Sequence, residues 1–80
     1  MKVNILYFGP VTDHSGCHSE MLIFENEMSV RELRNALTER YRGLSGLKFN
    51  MAVNTEISKD EDRLVRDMDE VAVLPPYAGG

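Results

Sequence analysis

Apolar residues alternate with polar ones near both ends of this chain, and a helical period replaces the alternation between them. From Lys2 to Phe8, Val3, Ile5 and Tyr7 fall on one side of an extended strand, with Leu6 and Phe8 on the other. Gly9-Pro10 ends that strand, and the polar stretch to Ser19 is expected to be a connection. Glu20-Met21-Leu22-Ile23-Phe24 predicts a second strand with Leu22 and Phe24 inward, making a hairpin with a long loop.

Ser29-Val30-Arg31-Glu32 has the spacing of a capping box, in which the Ser hydroxyl and the Glu carboxylate each satisfy a backbone amide at a helix start. Met28 and Leu33 stand at the separation of a hydrophobic staple. Val30, Leu33, Leu37 and Tyr41, with Ala36 beside them, keep a helical period to about Arg42, and Gly43 is expected to supply the stop. Phe49 to Asn54 predicts a third strand with Phe49, Met51 and Val53 on one face, and Thr55 to Ile57 a short edge strand. The charged stretch 59–69 is expected to be a loop whose Leu64 and Val65 plug the end of the core. Glu70 to Leu74 is the last strand, closed by Pro75-Pro76.

The order β-β-α-β-(β)-β, with one amphipathic helix, buries these stripes most economically as a mixed sheet covered on one face. If the last strand lies parallel beside the first, the result is an α+β fold, a β-grasp or ubiquitin-like roll of four to five strands and one main helix. Residues 1–76 are then the β-grasp domain and residues 77–80 a Gly-Gly tail launched from the middle of the sheet.

Composition narrows the setting. Eighty residues make one small domain, and the net charge of −4 with no basic stripe argues against nucleic acid. No apolar run approaches the roughly 18–20 residues that span a bilayer, so no membrane is expected. Cys17 is the single cysteine and excludes an internal disulfide, in keeping with a reducing, cytoplasmic location.

Candidate chemistry concentrates at Pro75-Pro76-Tyr77-Ala78-Gly79-Gly80. The prolines fix φ and end sheet pairing, which favours a stiff stalk. Tyr77 to Gly80 then spans at most about 13–14 Å, enough to reach into a neighbouring protein's active site. Two glycines fit a slot too narrow for any side chain. Gly79 is therefore read as the slim part of the tail, and the Gly80 α-carboxylate as the group that reacts once activated.

With these residues the chain resembles the ubiquitin-like sulfur carriers, and among them the small-subunit family of molybdopterin synthase. The resemblance covers essentially the full length. It rests on Ile5-Leu6-Tyr7-Phe8, the Ser-capped helix, Met51-Ala52-Val53-Asn54 and, most specifically, Asp69 to Pro76 leading into Gly79-Gly80. It implies that a ubiquitin-activating-like enzyme adenylates Gly80 from ATP and that a sulfur donor then displaces AMP to leave a thiocarboxylate. That sulfur passes to cyclic pyranopterin monophosphate inside the large subunit, in a heterotetramer. The chain would then hold no cofactor permanently; nucleotide enters only through the covalent AMP. The small subunit alone would be a monomer without catalysis. The resemblance also implies docking through the sheet face and tail, with Phe8, Ile57, Leu74, Pro75, Pro76, Tyr77 and Ala78 at the partner interface and Leu6 and Ala72 beside them. Other readings are a carrier for thiamine thiazole synthesis or tRNA thiolation, a ubiquitin-like protein modifier, or an interaction domain that never uses its terminus.

His14, Cys17 and His18 form half of a ligand set at most, and a structural zinc site wants four, so no metal is expected. Nothing positions a base for Cys17. Gly43-Leu44-Ser45-Gly46 lacks the Lys and spacing of a phosphate loop and is read as a helix exit.

Overall fold

A computed structural model of the chain describes residues 1–76. Its elements are β1 (Lys2–Tyr7), α1 (Val11–Ser15), β2 (Ser19–Ile23), β3 (Met28–Ser29), α2 (Val30–Arg40), a 3₁₀ turn (Arg42–Gly46), β4 (Asn50–Val53), β5 (Glu56–Ile57), β6 (Leu64–Val65) and β7 (Glu70–Leu74). Tyr77, Ala78, Gly79 and Gly80 lie outside the described residues.

The sheet order is β2-β1-β7-β4-β5. β1 runs antiparallel to β2 and parallel to β7, and β7 runs antiparallel to β4. The strand expected to be central therefore is central, and the fold is a β-grasp roll. Alternation aims Val3, Ile5, Tyr7, Met51, Val53, Val71 and Val73 at α2, whose Val30, Leu33 and Leu37 meet them, all buried. Leu22 and Phe24 pack against this core, half-buried.

The capping box forms as expected. Glu32 N–H donates to Ser29 Oγ and Ser29 N–H donates to Glu32 Oε1, both at 3.1 Å. Two further amides of the first turn are met by a distant loop: Val30 N–H donates to Arg63 O at 2.9 Å and Arg31 N–H to Glu61 O at 3.0 Å. That loop is thereby fixed over the helix start, where unpaired donors would otherwise remain.

Three details differ from the sequence reading. The connection after β1 contains α1, whose Val11 is fully buried. Leu64 and Val65 form a strand that pairs with β3; Val65 is buried as expected, whereas Leu64 faces outward. Helix α2 ends at Arg40 with extended Tyr41 as its cap, so Gly43 is not the stop. Gly43 instead sits in the 3₁₀ turn against His14, whose ring would lie 2.1 Å from a Cβ at that position. Leu44 of the same turn is buried in the core.

Candidate functional site

Sheet register assembles the sheet face opposite α2. Directly paired residues share a face, so the pairs Leu6↔Ser19, Leu6↔Ala72, Ala52↔Ala72 and Ala52↔Ile57 make one row across all five strands. Four of its five members are apolar. Ala52 is nonetheless buried, because it is small and lies between two neighbours in that row. Phe8 continues the outer side of β1, and its N–H donates to Val73 O at 3.1 Å, which carries the parallel pairing to the last turn of β7. Leu74 stands opposite Asn50 at that same end.

Phe8 is 45% exposed and Ile57 40% exposed, while Leu6, Ala72 and Leu74 are half-buried. The patch expected at Phe8, Ile57 and Leu74 is thus assembled on one face. Sequence reasoning missed its extension across β2. Met21, opposite Asn4, and Ile23, opposite Lys2, are 50% and 73% exposed on the same side. The unbroken run Met21-Leu22-Ile23-Phe24 carried the signal, since an edge strand with one buried face has no need of apolar residues on the other.

Both ends of β7 are tied to β4 side chains. At its start, Asn54 Nδ2 donates to Asp69 Oδ1 at 2.9 Å, and Glu70 N–H donates to Asn54 Oδ1 at 3.0 Å. At its end, Asn50 Nδ2 donates to Pro76 O at 3.4 Å. Pro75 is buried and Pro76 exposed. Of the two prolines assigned to the interface, Pro75 is thus packed into the body, because it follows directly on a strand buried between two others. The site residues Tyr77, Ala78, Gly79 and Gly80 lie outside the described residues.

On the helix side, the Glu20 carboxylate joins β2 to the end of α2. Tyr7 Oη donates to its Oε2 at 2.6 Å, Tyr41 Oη donates to the same oxygen, and Arg40 Nη2 donates to Oε1 at 3.0 Å. Burial pushes the carboxyl up, but the two phenols and the guanidinium outweigh it and hold the group below the ordinary value of 4.5. Burial first, and the bond to Glu20 second, push the Tyr7 phenol well above its ordinary value of 10.0. This network anchors β1 and β2 to the end of α2.

Among the described residues no three His, Cys, Asp or Glu side chains gather to hold a metal ion. His14 lies against Gly43, Cys17 is half-buried and His18 exposed, so the Asp13 to His18 segment does not converge on a common point. Among the same residues no helix is long and apolar enough to cross a membrane.

The model of the ThiS family matches residues 5–80. A molybdopterin synthase sulfur carrier subunit from Caenorhabditis briggsae is 32% identical, covering 100% of this chain and 99% of its own. Among solved structures, a chain described as molybdopterin converting factor subunit 1 from Pyrococcus furiosus superposes with a TM-score of 0.86 at 25% identity. That match covers 94% of this chain and 97% of the other. A complex of subunits 1 and 2 of molybdopterin-converting factor from Helicobacter pylori 26695 contains a chain at TM-score 0.69 and 25% identity, with 100% of both covered.

Proposed function

We propose that this chain, which belongs to the ThiS family, is the sulfur-carrying subunit of a molybdopterin synthase. The observation that carries the reading is the full-length likeness to a carrier subunit of that name, in a chain whose central strand is followed in sequence by Pro75-Pro76 and then Gly79-Gly80. The described body offers an anchored platform and an apolar face but no catalytic constellation. A reacting group at the tail, with the acids and bases supplied by a partner, is the division of labour that fits.

The chemistry balances as follows. A Gly80 carboxylate oxygen attacks the α-phosphorus of ATP, pyrophosphate leaves, and an acyl adenylate forms. A sulfide-level sulfur from a donor adds to the carbonyl carbon, AMP departs with the former carboxylate oxygen, and a thiocarboxylate remains. In the large subunit the thiocarboxylate sulfur then attacks an oxygen-bearing side-chain carbon of cyclic pyranopterin monophosphate. A carbon–sulfur bond forms, the carbon–oxygen bond at that carbon breaks, and the oxygen leaves on the opened phosphate or, with a proton, as water. Water cleaves the resulting acyl–sulfur bond, which leaves sulfur on the pterin and restores the carboxylate. Two such deliveries build a dithiolene. The activating enzyme and the large subunit use the same outer face, centred on Phe8, Leu74 and Ile57, so they bind in turn.

Intact mass after incubation with the cognate activating enzyme, ATP and a sulfur donor tests the reading. Exchange of one oxygen for sulfur adds about 16 Da at the acyl end, and deletion of Gly80 abolishes the gain. Attachment to lysines of other proteins without that gain points to a modifier and overturns the proposal. Thiocarboxylate that forms but transfers only to a thiazole precursor or to tRNA assigns one of the other carrier pathways. Phe8→Asp, which puts a charge at the Leu74 end of the apolar face, is expected to weaken binding to the large subunit by about 10-fold or more.

A further inference from the structure

A groove of about 450 Å³ opens beside the point where the chain leaves the sheet. Leu44, Leu47 and Phe49 give it an apolar floor, and Pro76 forms part of its wall. Arg34 from α2 reaches its margin already fixed: Nη1 donates to Phe49 O at 2.8 Å, Nε donates to Glu61 Oε1 at 3.0 Å, and the guanidinium lies 4.8 Å from the Phe49 ring centre. Lys48 is exposed on the rim and forms no ion pair among the described residues. No Asp or Glu lines the groove among those residues, although the chain has 13 acidic side chains against 9 basic ones. Both Glu61 oxygens meet the Arg34 guanidinium, so among the described residues Lys48 is the cation left open above the apolar floor. The groove is also coupled to the tail, because Asn50 lines it and donates to Pro76 O.

We propose that this groove is a second docking site for the large subunit and takes an acidic segment of that protein bearing an aliphatic or aromatic anchor. The inference rests on the function proposed above. Charge selects the occupant: an acidic strand or loop neutralises Lys48, while its apolar side chain displaces water from Leu44, Leu47 and Phe49. Area selects it too. A stable pairing takes about 800 Å² from each partner, about one-sixth of this chain's 4880 Å². The outer face with Phe8, Ile57, Met21 and Ile23 supplies part of that, and the groove beside Pro76 extends it. Continuity completes the argument, because Pro76 is part of the groove wall and follows the Leu74 end of the outer face directly in the chain.

The test compares Lys48→Glu, Leu47→Ser and Phe8→Asp, each checked for an unchanged fold by circular dichroism. Calorimetry and stopped-flow binding to the cognate large subunit, and separately to the cognate activating enzyme, are run at low and high salt. Lys48→Glu is expected to slow association with the large subunit by about 10-fold and to flatten its salt dependence, while binding to the activating enzyme stays the same. Leu47→Ser is expected to speed dissociation of the large subunit. If Lys48→Glu leaves affinity and salt dependence unchanged while Phe8→Asp weakens binding, the groove proposal falls and the carrier reading stands. A loss confined to the activating enzyme also overturns the assignment. If Phe8→Asp and deletion of Gly80 have no effect on either partner, the functional reading itself falls.

Discussion

Replacing Glu20 by Gln tests whether one carboxylate holds the edge strand to the helix. Three donors converge on it, but they do not count equally. Tyr7 is buried, so no water replaces its bond, whereas Arg40 is exposed and rehydrates freely. A hydrogen bond to a charged acceptor contributes about 1.5–3 kcal/mol, against about 0–1 for an exposed ion pair. Gln keeps one acceptor oxygen but loses the charge, so the substitution should cost about 1.5–2.5 kcal/mol. A domain of this length holds about 4–12 kcal/mol in all. With a urea dependence near ~1 kcal/mol/M for so short a chain, the unfolding midpoint should fall by about 2 M. Acidity supplies an independent check. Glu20 is held below 4.5 in the folded state, so its contribution is complete above that value and is lost as pH falls through the folded one. Parent and variant stabilities should therefore converge in acid. A variant within about 0.5 kcal/mol of the parent at neutral pH would refute the reasoning, being no more than an ordinary surface change. So would a difference that persists undiminished through the acid limb.

Other outcomes follow from local geometry. Asn54 and Thr55 turn β4 into β5 with φ of 49° and 73°, and a β-branched residue is strained there. Thr55→Gly should raise stability by about 0.5–1 kcal/mol in urea melts, the relief of strain exceeding glycine's entropy cost. The raised Tyr7 phenol contributes stability below its ordinary value of 10.0, and that contribution is lost as pH climbs past it. Tyr7→Phe should accordingly flatten the alkaline fall in melting temperature. Gly43→Ala should cost less than about 1 kcal/mol, because the exposed His14 ring can swing aside. Adding His14→Ala should recover the loss.

Short apolar runs closed by Gly9-Pro10 and Pro75-Pro76 made β1 and β7 readable, and a side-chain cap made the start of α2 readable, because each signal is local and survives tertiary context. Val11 was invisible as a core residue, since one apolar side chain in a polar stretch carries no period. Gly43 drew a cap assignment from its type alone, whereas its role comes from a ring far away in sequence. Leu64 and Val65 are too few to show a strand until Met28 and Ser29 are placed beside them. The apolar outer face was legible at Phe8 and Leu74 because both strands carry apolar residues at every position there. Its reach to Met21 and Ile23 required the register of β2, and the groove required three separated segments to meet.

The last strand has a neighbour on each side, parallel to one and antiparallel to the other. A pull on the C-terminus therefore loads both ladders lengthwise, so many bonds bear the force together, and the strand cannot peel away one bond at a time. A partner that grips the tail can drag the whole body without unravelling it. Tethered by that end in an optical trap, the domain should resist far more than it would if hauled sideways by β2.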